Sequence, residues 1–282
     1  MSSSKTAAVN ETVEIVKTVV FALLIALALR VFLFQPYTIP SASMEPNLYH
    51  GDYIIVSKFD YGYSKHSIPF SPPLFSGRIF ARAPQRGDII VFKLPREAAT
   101  TRVDYIKRLV GLPGDHIQLK DGVVFINGQP LPRKSLGEIQ GHPGEDGVDD
   151  PWLTMQKWDE TAQNGRHYAI QKLIGGGPSD NTGVYIVPPH CYFMMGDNRD
   201  DSDDSRFDPE MPSTMTGGST CAWDTSVDSY LAGEAGVGFV PEEDLVGRAR
   251  LILVSWAPGA SLFKPWTWVT DFRLGRVFHI LH

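Results

Sequence analysis

The chain has 282 residues, of which 43% are hydrophobic and 21% are charged, and its formal net charge is −6 at pH 7. This composition is typical of a folded protein, and a chain of this length can build one large or two small packed domains. The negative charge and a pI near 5.7 argue against a nucleic-acid partner, because neutralising phosphates requires a basic surface.

The first element is an apolar run at residues 16–34. Its only polar residues are Lys17, Thr18 and Arg30. As a helix it would be about 28 Å long, enough to cross the hydrocarbon core of a bilayer. A cleaved secretory signal is the alternative, since small residues follow at 41–43, but the run is longer than a signal's apolar region and acidic residues precede it. We predict a retained anchor.

From residue 43 onward, turns alternate with short β-rich runs. Gly-Asp pairs precede the runs 53–56, 89–92 and 117–119. Asp121-Gly122 and then Asn127-Gly128 indicate tight hairpins. With 26 glycines, 21 prolines and no long amphipathic period outside the anchor, the sequence predicts a mainly β body.

Two segments interrupt the β pattern. Residues 134–166 contain an acidic, glycine-rich loop before strand character resumes at 168–170. Residues 207–236 are rich in Gly, Ser, Thr and Asp. Long segments without a β pattern are typical of excursions from a compact domain.

Ser43 follows the apolar run by nine residues, so a reactive serine at this position would work at a membrane surface. An aliphatic hydroxyl becomes a good nucleophile only when a neighbouring base removes its proton. None of the eight histidines has a recognisable catalytic setting, and the Gly-x-Ser-x-Gly turn of many serine hydrolases is absent. The base would therefore have to be another residue type.

A lysine can act as the base if burial lowers its pKa. In the run 105–110, Lys107 would share a strand face with Tyr105, while Arg108 would point the other way. One of the two basic side chains would then enter an apolar environment. The alternative is a lysine whose amine extends from a strand edge into water, as most strand lysines do.

Residues 196–206 form an acidic segment that follows the apolar run 192–195 in the sequence. A calcium loop fits poorly, because Ser205 stands where such a loop needs glycine and Met211 where it needs a bidentate acid. Two interpretations remain. The segment is a solvated acidic turn, or it is a buried network in which Asp and Arg pair and hold a small hydroxyl in a fixed direction.

Together these stretches resemble the bacterial type I signal peptidases, also called leader peptidases. The matching stretches, in the family's order, are 39–46 with 51–52, 86–92, 105–115, 187–206 and 238–249. The resemblance implies a mainly β fold: an N-terminal transmembrane helix followed by two small antiparallel β-sheet domains. It also implies a protein of the cytoplasmic (inner) membrane, with its catalytic domain on the periplasmic side. Many relatives carry two membrane segments, whereas the one apolar run of this chain predicts a single pass.

The resemblance implies a role for each matching polar residue. Ser43 would be the nucleophile and Lys107 the general base. Ser202 would hydrogen-bond the lysine, and Ser41 would donate to the oxyanion beside the Ser43 N–H. The residues implied to line shallow pockets for small substrate side chains at positions −1 and −3 are Ile39, Met44, Tyr105 and Ile106. The implied structural network consists of Asp197, Asn198, Arg199, Asp204 and Arg206. The implied partners are preproteins with signal peptides, and membrane lipid.

This interpretation divides the chain into seven segments. They are a cytoplasmic tail (1–15), the anchor (16–34), the first part of a catalytic β domain (35–134), a β-rich excursion or second small domain (135–185), the Asp-Ser-Arg part of the catalytic domain (186–206), an insertion (207–236), and the last part of the catalytic domain with a membrane-proximal C-terminus (237–282).

The two cysteines, Cys191 and Cys221, are too few for a four-thiolate site, and no His or Cys pair has zinc spacing. We therefore expect no metal and no cofactor. If the body is exported, the two cysteines could form a disulfide that ties the insertion to the body. Two unrelated buried thiols are the alternative.

The C-terminal segment interleaves aromatic and basic residues. They are Phe263, Trp266, Trp268, Phe272, Phe278 and Ile280, with Lys264, Arg273 and Arg276. They either cover the β core or rest in the membrane interface, where Trp is favoured.

Three functions fit the sequence. The first is a membrane-anchored endopeptidase that removes signal peptides. The second is a specialised peptidase of the same Ser/Lys class, for conjugation or self-processing. The third is an inactive β domain that binds partners, against which the presence of Ser43, Lys107 and Ser202 argues.

Overall fold

A computed structural model of the chain describes residues 2–95, 103–143, 149–177, 179–207, 221, 236–257, 260 and 264–281. Its long helix α1 covers Ser2–Phe32. Within it, Val13–Phe32 is long and apolar enough to cross a membrane, and none of that stretch is buried against the body. It is the only such helix among the described residues.

The helix ends at Phe32, two residues before the predicted end of the anchor. The reason lies in the next residues. Pro36 has no N–H to continue a helix and restricts the residue before it to extended conformations, and Phe34 begins the first strand. The apolar run 16–34 therefore contains the end of a helix and the start of a sheet.

The remaining elements are mostly strands. They are β1 (Phe34–Thr38), β2 (Asp52–Ser57), β3 (Ile89–Lys93), β4 (Asp104–Gly111), β5 (His116–Lys120), β6 (Val123–Ile126), β7 (Gln129–Pro130), β8 (Arg133–Pro143), β9 (Asp149–Thr161), β10 (His167–Leu173), β11 (Tyr185–Ile186), β12 (Cys191–Met195), β13 (Val240–Pro241), β14 (Leu245–Ser255) and β15 (His279–Ile280). A short helix α2 covers Thr267–Thr270, and 3₁₀ turns cover Lys65–Ser67, Glu242–Asp244 and Leu274–Arg276.

These strands form three sheets. The largest has the order β1-β2-β14-β3-β4-β12-β13, with β15 also paired to β14. A second sheet has the order β10-β9-β8, and a third has the order β11-β5-β6-β7. All strand pairs within these sheets are antiparallel. The mainly β fold with an N-terminal apolar helix and antiparallel sheets is therefore confirmed.

Both hairpins predicted from dipeptides are present. Lys120 pairs with Val123 across Asp121-Gly122, and Ile126 pairs with Gln129. The two turn residues of the first hairpin have φ values of 48° and 70°. Asp and Gly tolerate this left-handed conformation, which the tight hairpin turn requires.

Strand β4 carries the site because it lies in the middle of the largest sheet. It pairs with β3 on one side and β12 on the other. Its successive residues pack into different cores: Leu109 lies in a cluster with Phe92 and Met194, whereas Val110 lies in another with Phe193. Side chains on both faces of β4 are therefore held by packing, as alternation along a strand requires.

The predicted segment borders remain a proposal. Strands of the predicted part 35–134 contribute to all three sheets, since β5, β6 and β7 pair with β11 and β8 begins at Arg133. The two ends of the predicted insertion lie against each other. A Cβ on Gly236 would be 2.2 Å from the Phe207 carbonyl oxygen, so the chain leaves and returns at one point. Most of the insertion and the acidic loop 144–148 lie outside the described residues.

Candidate active site

The centre of the site is a contact between Ser43 and Lys107. Lys107 Nζ lies 2.6 Å from Ser43 Oγ. Ser43 lies in the loop between β1 and β2, and Lys107 lies in the middle of β4. A pairing between residues 64 positions apart brings the predicted nucleophile and the predicted base within hydrogen-bond reach.

Lys107 is 3% exposed. Burial lowers the pKa of its ammonium from 10.5 to about 8, and the carboxylates of Asp204 and Asp203 oppose this lowering. At pH 7 about a tenth of such a lysine is neutral, against roughly one in three thousand for an exposed lysine. Of the two alternatives for Lys107, a buried amine or an amine that extends into water, the structure therefore shows the buried one. The ring centroid of Tyr105 is 5.8 Å from its Nζ, as their shared strand face predicts.

The loop that carries Ser43 is clamped from one side by residues 197–198. The Asn198 N–H donates to the Ser43 carbonyl at 3.1 Å, and the Asn198 side chain donates to the Ala42 carbonyl at 3.3 Å. Asn47 Nδ2 donates to Asp197 at 2.7 Å. Ser43 therefore lies on a loop whose backbone is held by several hydrogen bonds.

Ser41 Oγ lies 3.4 Å from Ser43 Oγ. The expected oxyanion donor is thus on the same side of the loop as the nucleophile. A hydroxyl at that distance can turn toward charge that develops beside Ser43.

Ser202 does not make the expected hydrogen bond to Lys107. Its Oγ is buried and has no hydrogen-bond partner among the described residues. The residue lies against Gly196, where a Cβ would be 2.2 Å from Ser202 Oγ and 2.5 Å from the Ser43 carbonyl oxygen. The lysine amine is directed at Ser43 Oγ instead, so the Ser202 hydroxyl is close to the site but unpaired, and its orienting role stays a prediction.

The acidic segment forms a buried network, and Asp204 lies at its centre. Asp204 pairs with Arg206, whose Nε is 2.8 Å from Oδ1, and it accepts the Gly196 N–H at 2.9 Å. Burial alone would raise the pKa of Asp204, but the Arg206 charge and these hydrogen bonds hold it below its usual value. A permanent carboxylate therefore stands near Lys107.

The structure also buries Arg108, which the sequence analysis did not assign to the site. Its guanidinium binds Asp197 in a bidentate manner, with distances of 2.6 and 2.8 Å. It also lies over the Tyr168 ring, 4.1 Å from the centroid. Both basic residues of the pair 107–108 are therefore buried, one beside the nucleophile and the other paired with a carboxylate.

Glu160 on β9 was also missed. It is fully buried, accepts a short hydrogen bond from Arg199 at 2.5 Å, and accepts a second from Tyr168 at 3.0 Å. Arg199 in turn donates to the Gly196 carbonyl at 3.1 Å. No local pattern could have found Glu160, because its partner Arg199 lies 39 residues away, in the segment that follows β12.

The four predicted pocket residues fall into two packing groups. Ile39 and Met44 belong to one buried cluster, and Ile106 packs against it. Tyr105 packs against a different cluster. Ile39 and Met44, on the loop that carries Ser43, are almost fully buried.

Cys191 and Cys221 form a disulfide with a Cα–Cα distance of 5.6 Å. Both sulfurs lie in the core cluster that contains Phe193 and Phe239. One point of the predicted insertion is therefore fixed to the start of β12.

Most of the described apolar residues of the C-terminal segment do not cover the core. The aromatic residues Trp266, Trp268 and Phe278 and the aliphatic Ile280 are exposed. Phe272 is half-buried, and its ring lies 5.3 Å from that of Trp256. Among the basic residues, Arg273 and Arg276 turn inward: Arg276 binds Asp52 at 2.6 Å, and Arg273 donates to the His50 carbonyl at 2.9 Å. Phe263 lies outside the described residues.

Comparisons with known proteins extend over most of the chain. The family model described as "Signal peptidase, peptidase S26" matches residues 12–256. A protein named Signal peptidase I from Rickettsia typhi is 37% identical over 281 residues, covering 93% of this chain and 91% of the relative. The protein of that name from Rickettsia prowazekii matches with the same identity and coverage. A crystal structure of a signal peptidase I from Enterococcus faecalis is 24% identical and covers 59% of this chain and 97% of its own, with a TM-score of 0.27 that is too low for a structural conclusion.

Proposed function

The chain belongs to the signal peptidase family, peptidase S26, and from that premise we propose that Ser43 and Lys107 form the catalytic dyad that removes N-terminal signal peptides from secreted preproteins. Members of this family are serine-type hydrolases. The observation that carries the proposal is the 2.6 Å contact between Lys107 Nζ and Ser43 Oγ at a buried position.

In the first half-reaction, neutral Lys107 Nζ takes the proton of the Ser43 hydroxyl as Oγ attacks the scissile carbonyl carbon. The carbonyl oxygen becomes an oxyanion, to which Ser41 Oγ and the Ser43 N–H donate. The Lys107 ammonium then gives its proton to the leaving amine, the C–N bond breaks, and the signal peptide remains as an ester on Ser43.

In the second half-reaction, a water molecule attacks the ester carbonyl while Lys107 Nζ takes one of its protons. The second tetrahedral intermediate collapses with cleavage of the C–Oγ bond. Lys107 returns the proton to Ser43 Oγ, and the peptide leaves with a free carboxylate. The lysine must be neutral at the start of each half-reaction, which the lowered pKa of Lys107 favours.

We propose that cleavage follows small residues at positions −1 and −3. Ile39, Met44 and Ile106 would form the floor beside Ser43, and their membership of one apolar cluster supports a shallow apolar contact surface for small side chains. Tyr105 would line the approach to Lys107. Signal-peptide cleavage sites have small residues at these positions.

We propose that α1 anchors the protein in the cytoplasmic membrane and that the body lies on the periplasmic side. The length and apolar character of Val13–Phe32 support the anchor. The exposed aromatics of the C-terminal segment support contact of the body with the same membrane, because Trp is favoured at the interface.

The test is incubation of the detergent-solubilised full-length protein with a secretory preprotein, with mass analysis of both products. We expect one cut behind the residue at position −1, and no product from Ser43→Ala or Lys107→Ala, since nucleophile and base act as a unit. Lys107→Arg should also be inactive, because guanidinium does not release its proton near neutral pH. Full activity of any of these variants would refute the dyad.

A second preprotein with Phe at −1 tests the specificity separately. Its cleavage at an equal rate would contradict the proposed pocket without contradicting the dyad.

A further inference from the structure

The loop between β2 and β3 exposes large apolar side chains. In residues 68–80, which we call the apolar loop, Phe70 is 97% exposed, Phe80 79% and Leu74 71%. The only charged residue of the loop is Arg78. Soluble proteins rarely expose large apolar side chains in one group, and where they do, the group marks a site of contact with a protein or a membrane.

Two of these phenylalanines sit on unfavourable backbone. Phe70 has a φ of 65° and Phe80 a φ of 55°. A bulky residue in the left-handed region is an outlier that surrounding structure must enforce. Because Phe70 is almost fully exposed, packing within the described part of the chain does not compensate for that conformation.

The polar residues of the loop hold it in place from below. Arg78 donates to the carbonyls of Tyr61, Gly62, Glu242 and Leu245 at 2.8–3.1 Å. The charged side chain of Arg78 therefore fixes the loop to the body and does not make the exposed surface of the loop polar. The loop presents its apolar side chains from a fixed base.

A second fixed point lies beside Phe70. Ser71 Oγ is 2.9 Å from His66 Nδ1, and His66 Nε2 is 3.2 Å from the buried carboxylate of Asp244. This chain of contacts ties the loop to the 3₁₀ turn that precedes β14. Together with Arg78 it makes the exposed conformation a property of the fold.

The apolar loop emerges at the point where α1 ends. The Tyr63 hydroxyl donates to the Phe32 carbonyl at 2.7 Å, and the two rings pack edge to face with centroids 6.0 Å apart. The backbone of the same Tyr63 forms a reciprocal pair with Ile79, at 2.8 and 2.9 Å. One residue thus joins the last turn of the helix to the base of the loop.

The C-terminal end of α1 and the apolar loop are therefore neighbours. We propose that residues 68–80 insert into the surface of the bilayer that α1 crosses, with Phe70, Leu74 and Phe80 at the boundary between headgroups and acyl chains. Burial of these side chains in lipid compensates for the left-handed backbone at the two phenylalanines. The occupant is lipid and not a protein partner, because the loop adjoins a span whose own side chains are exposed up to Phe32.

Two attachments separated by Tyr63 would fix the tilt of the body, which a single helix leaves free. The loop would thereby set the height of Ser43 above the membrane. The inference rests on the proposed span α1, and the experiment below separates failure of the span from failure of the loop.

The chain offers a clean labelling scheme, because its two cysteines are joined in the disulfide. Phe70→Cys and, separately, Leu74→Cys each introduce a single free thiol for an NBD fluorophore. Leu136→Cys is the matched control, since Leu136 is also an exposed apolar residue but lies on β8. Leu24→Cys reports on α1 itself. The full-length variants are reconstituted in vesicles of phosphatidylethanolamine and phosphatidylglycerol.

We expect NBD at 70 and 74 to be quenched by doxyl-labelled lipid and shielded from aqueous iodide, and NBD at 136 to behave in the opposite way. If the labels at 70 and 74 resemble the one at 136 while the label at 24 is quenched by lipid, the loop proposal is wrong and the span stands. Shielding from iodide without quenching by lipid would indicate a protein occupant and also overturn the proposal. Lipid quenching at 70 and 74 but not at 24 would support the loop and refute the span.

Phe70→Asn controls for loss of the loop conformation. Asn is at ease in the left-handed region, so this variant should melt in detergent at or above the temperature of the unsubstituted protein. Combined with Phe80→Asn, it should reduce lipid quenching of NBD at Leu74→Cys at least severalfold. Undiminished quenching would show that the phenylalanines do not hold the loop in lipid.

Discussion

At the scale of single residues, the site depends on a lysine that is costly to bury. The folded-state pKa of Lys107 is about 8, below its ordinary value of 10.5. The folded protein therefore binds fewer protons than the unfolded chain between these two pH values. Burial of Lys107 therefore destabilises the fold by its full amount below pH 8, and this destabilisation decreases as the pH rises from 8 toward 10.5.

Lys107→Met should therefore stabilise the protein while it abolishes cleavage. The gain should be at most roughly 3 kcal/mol at pH 6 to 7, and it should shrink toward zero as the pH approaches 10. Chemical denaturation of both proteins in detergent at several pH values measures it. The unsubstituted enzyme should also gain kcat/KM with rising pH up to about 8. An equal or lower stability of the Met variant at pH 6 would contradict the conclusion that burying the Lys107 ammonium destabilises the fold.

Ser202 provides a second test at this scale. Its hydroxyl is buried without a partner among the described residues, so Ser202→Ala should leave the melting temperature unchanged or slightly higher. If the hydroxyl orients Lys107 during the reaction, kcat should fall on the order of tenfold or more, with KM little changed. A kcat equal to that of the unsubstituted enzyme would remove Ser202 from the mechanism.

At the scale of elements, β9 supports the loop that carries Ser43 through an ion pair between Glu160 and Arg199. Glu160 holds Arg199, Arg199 donates to the Gly196 carbonyl, and the adjoining Asn198 holds the Ser43 carbonyl. The sheet of β8, β9 and β10 thus contacts residues 196–199 and fixes their position. A parallel bridge between Gln171 and Asn198 adds a backbone link between the same two regions.

Glu160→Gln should therefore affect turnover as well as stability. Removing one member of a buried pair leaves the other charge uncompensated, which costs about 3 to 5 kcal/mol. At a temperature well below the melting point of the variant, we expect kcat to fall with KM nearly constant, because Ser43 is less well positioned. Asp159→Asn is the matched control, since Asp159 adjoins Glu160 on β9 but is one third exposed. If both variants keep full kcat per folded molecule, Glu160 has only a structural role.

The contrast between Lys107 and Glu160 shows what the sequence could predict. The two hairpins followed from local dipeptides, because the turn conformation depends on the turn residues themselves. Ser43 and Lys107 followed from resemblance, and their separation of 64 residues could not have been derived from spacing. Glu160 and Arg108 escaped detection because their charges are compensated by distant residues, and a lone Glu or Arg in a strand is normally solvent-exposed.

The end of α1 illustrates the same limit for the fold. Hydropathy detects the apolar run 16–34 but does not distinguish a helix that continues from one that gives way to a strand. The transition at residues 33–34 depends on pairing of Phe34 with Ser57, which is a tertiary contact. The apolar run therefore predicted that a helix is present, while strand pairing decided where that helix ends.

At the scale of the whole molecule, large exposed apolar side chains are grouped in three parts of the described chain. They are α1 itself, the apolar loop 68–80 and the C-terminal segment with Trp266 and Trp268. The loop adjoins the end of α1 through Tyr63. Grouped apolar side chains of this kind favour a body that contacts the bilayer.

A chain that lacks residues 1–32 should therefore still bind membranes. This cut keeps β1, whose residues Phe34–Thr38 pair with β2, whereas a cut after residue 36 would remove half of that strand and expose the edge of β2. We expect the 33–282 chain to be folded, to cosediment with phosphatidylethanolamine and phosphatidylglycerol vesicles, and to cleave preprotein faster when lipid or detergent is present. Trp266→Ser with Trp268→Ser should weaken vesicle binding by about tenfold for each Trp that is lost from the interface. If the shortened chain stayed in the supernatant and cleaved equally fast without lipid, the body would have no membrane contact of its own, and α1 would be its only attachment.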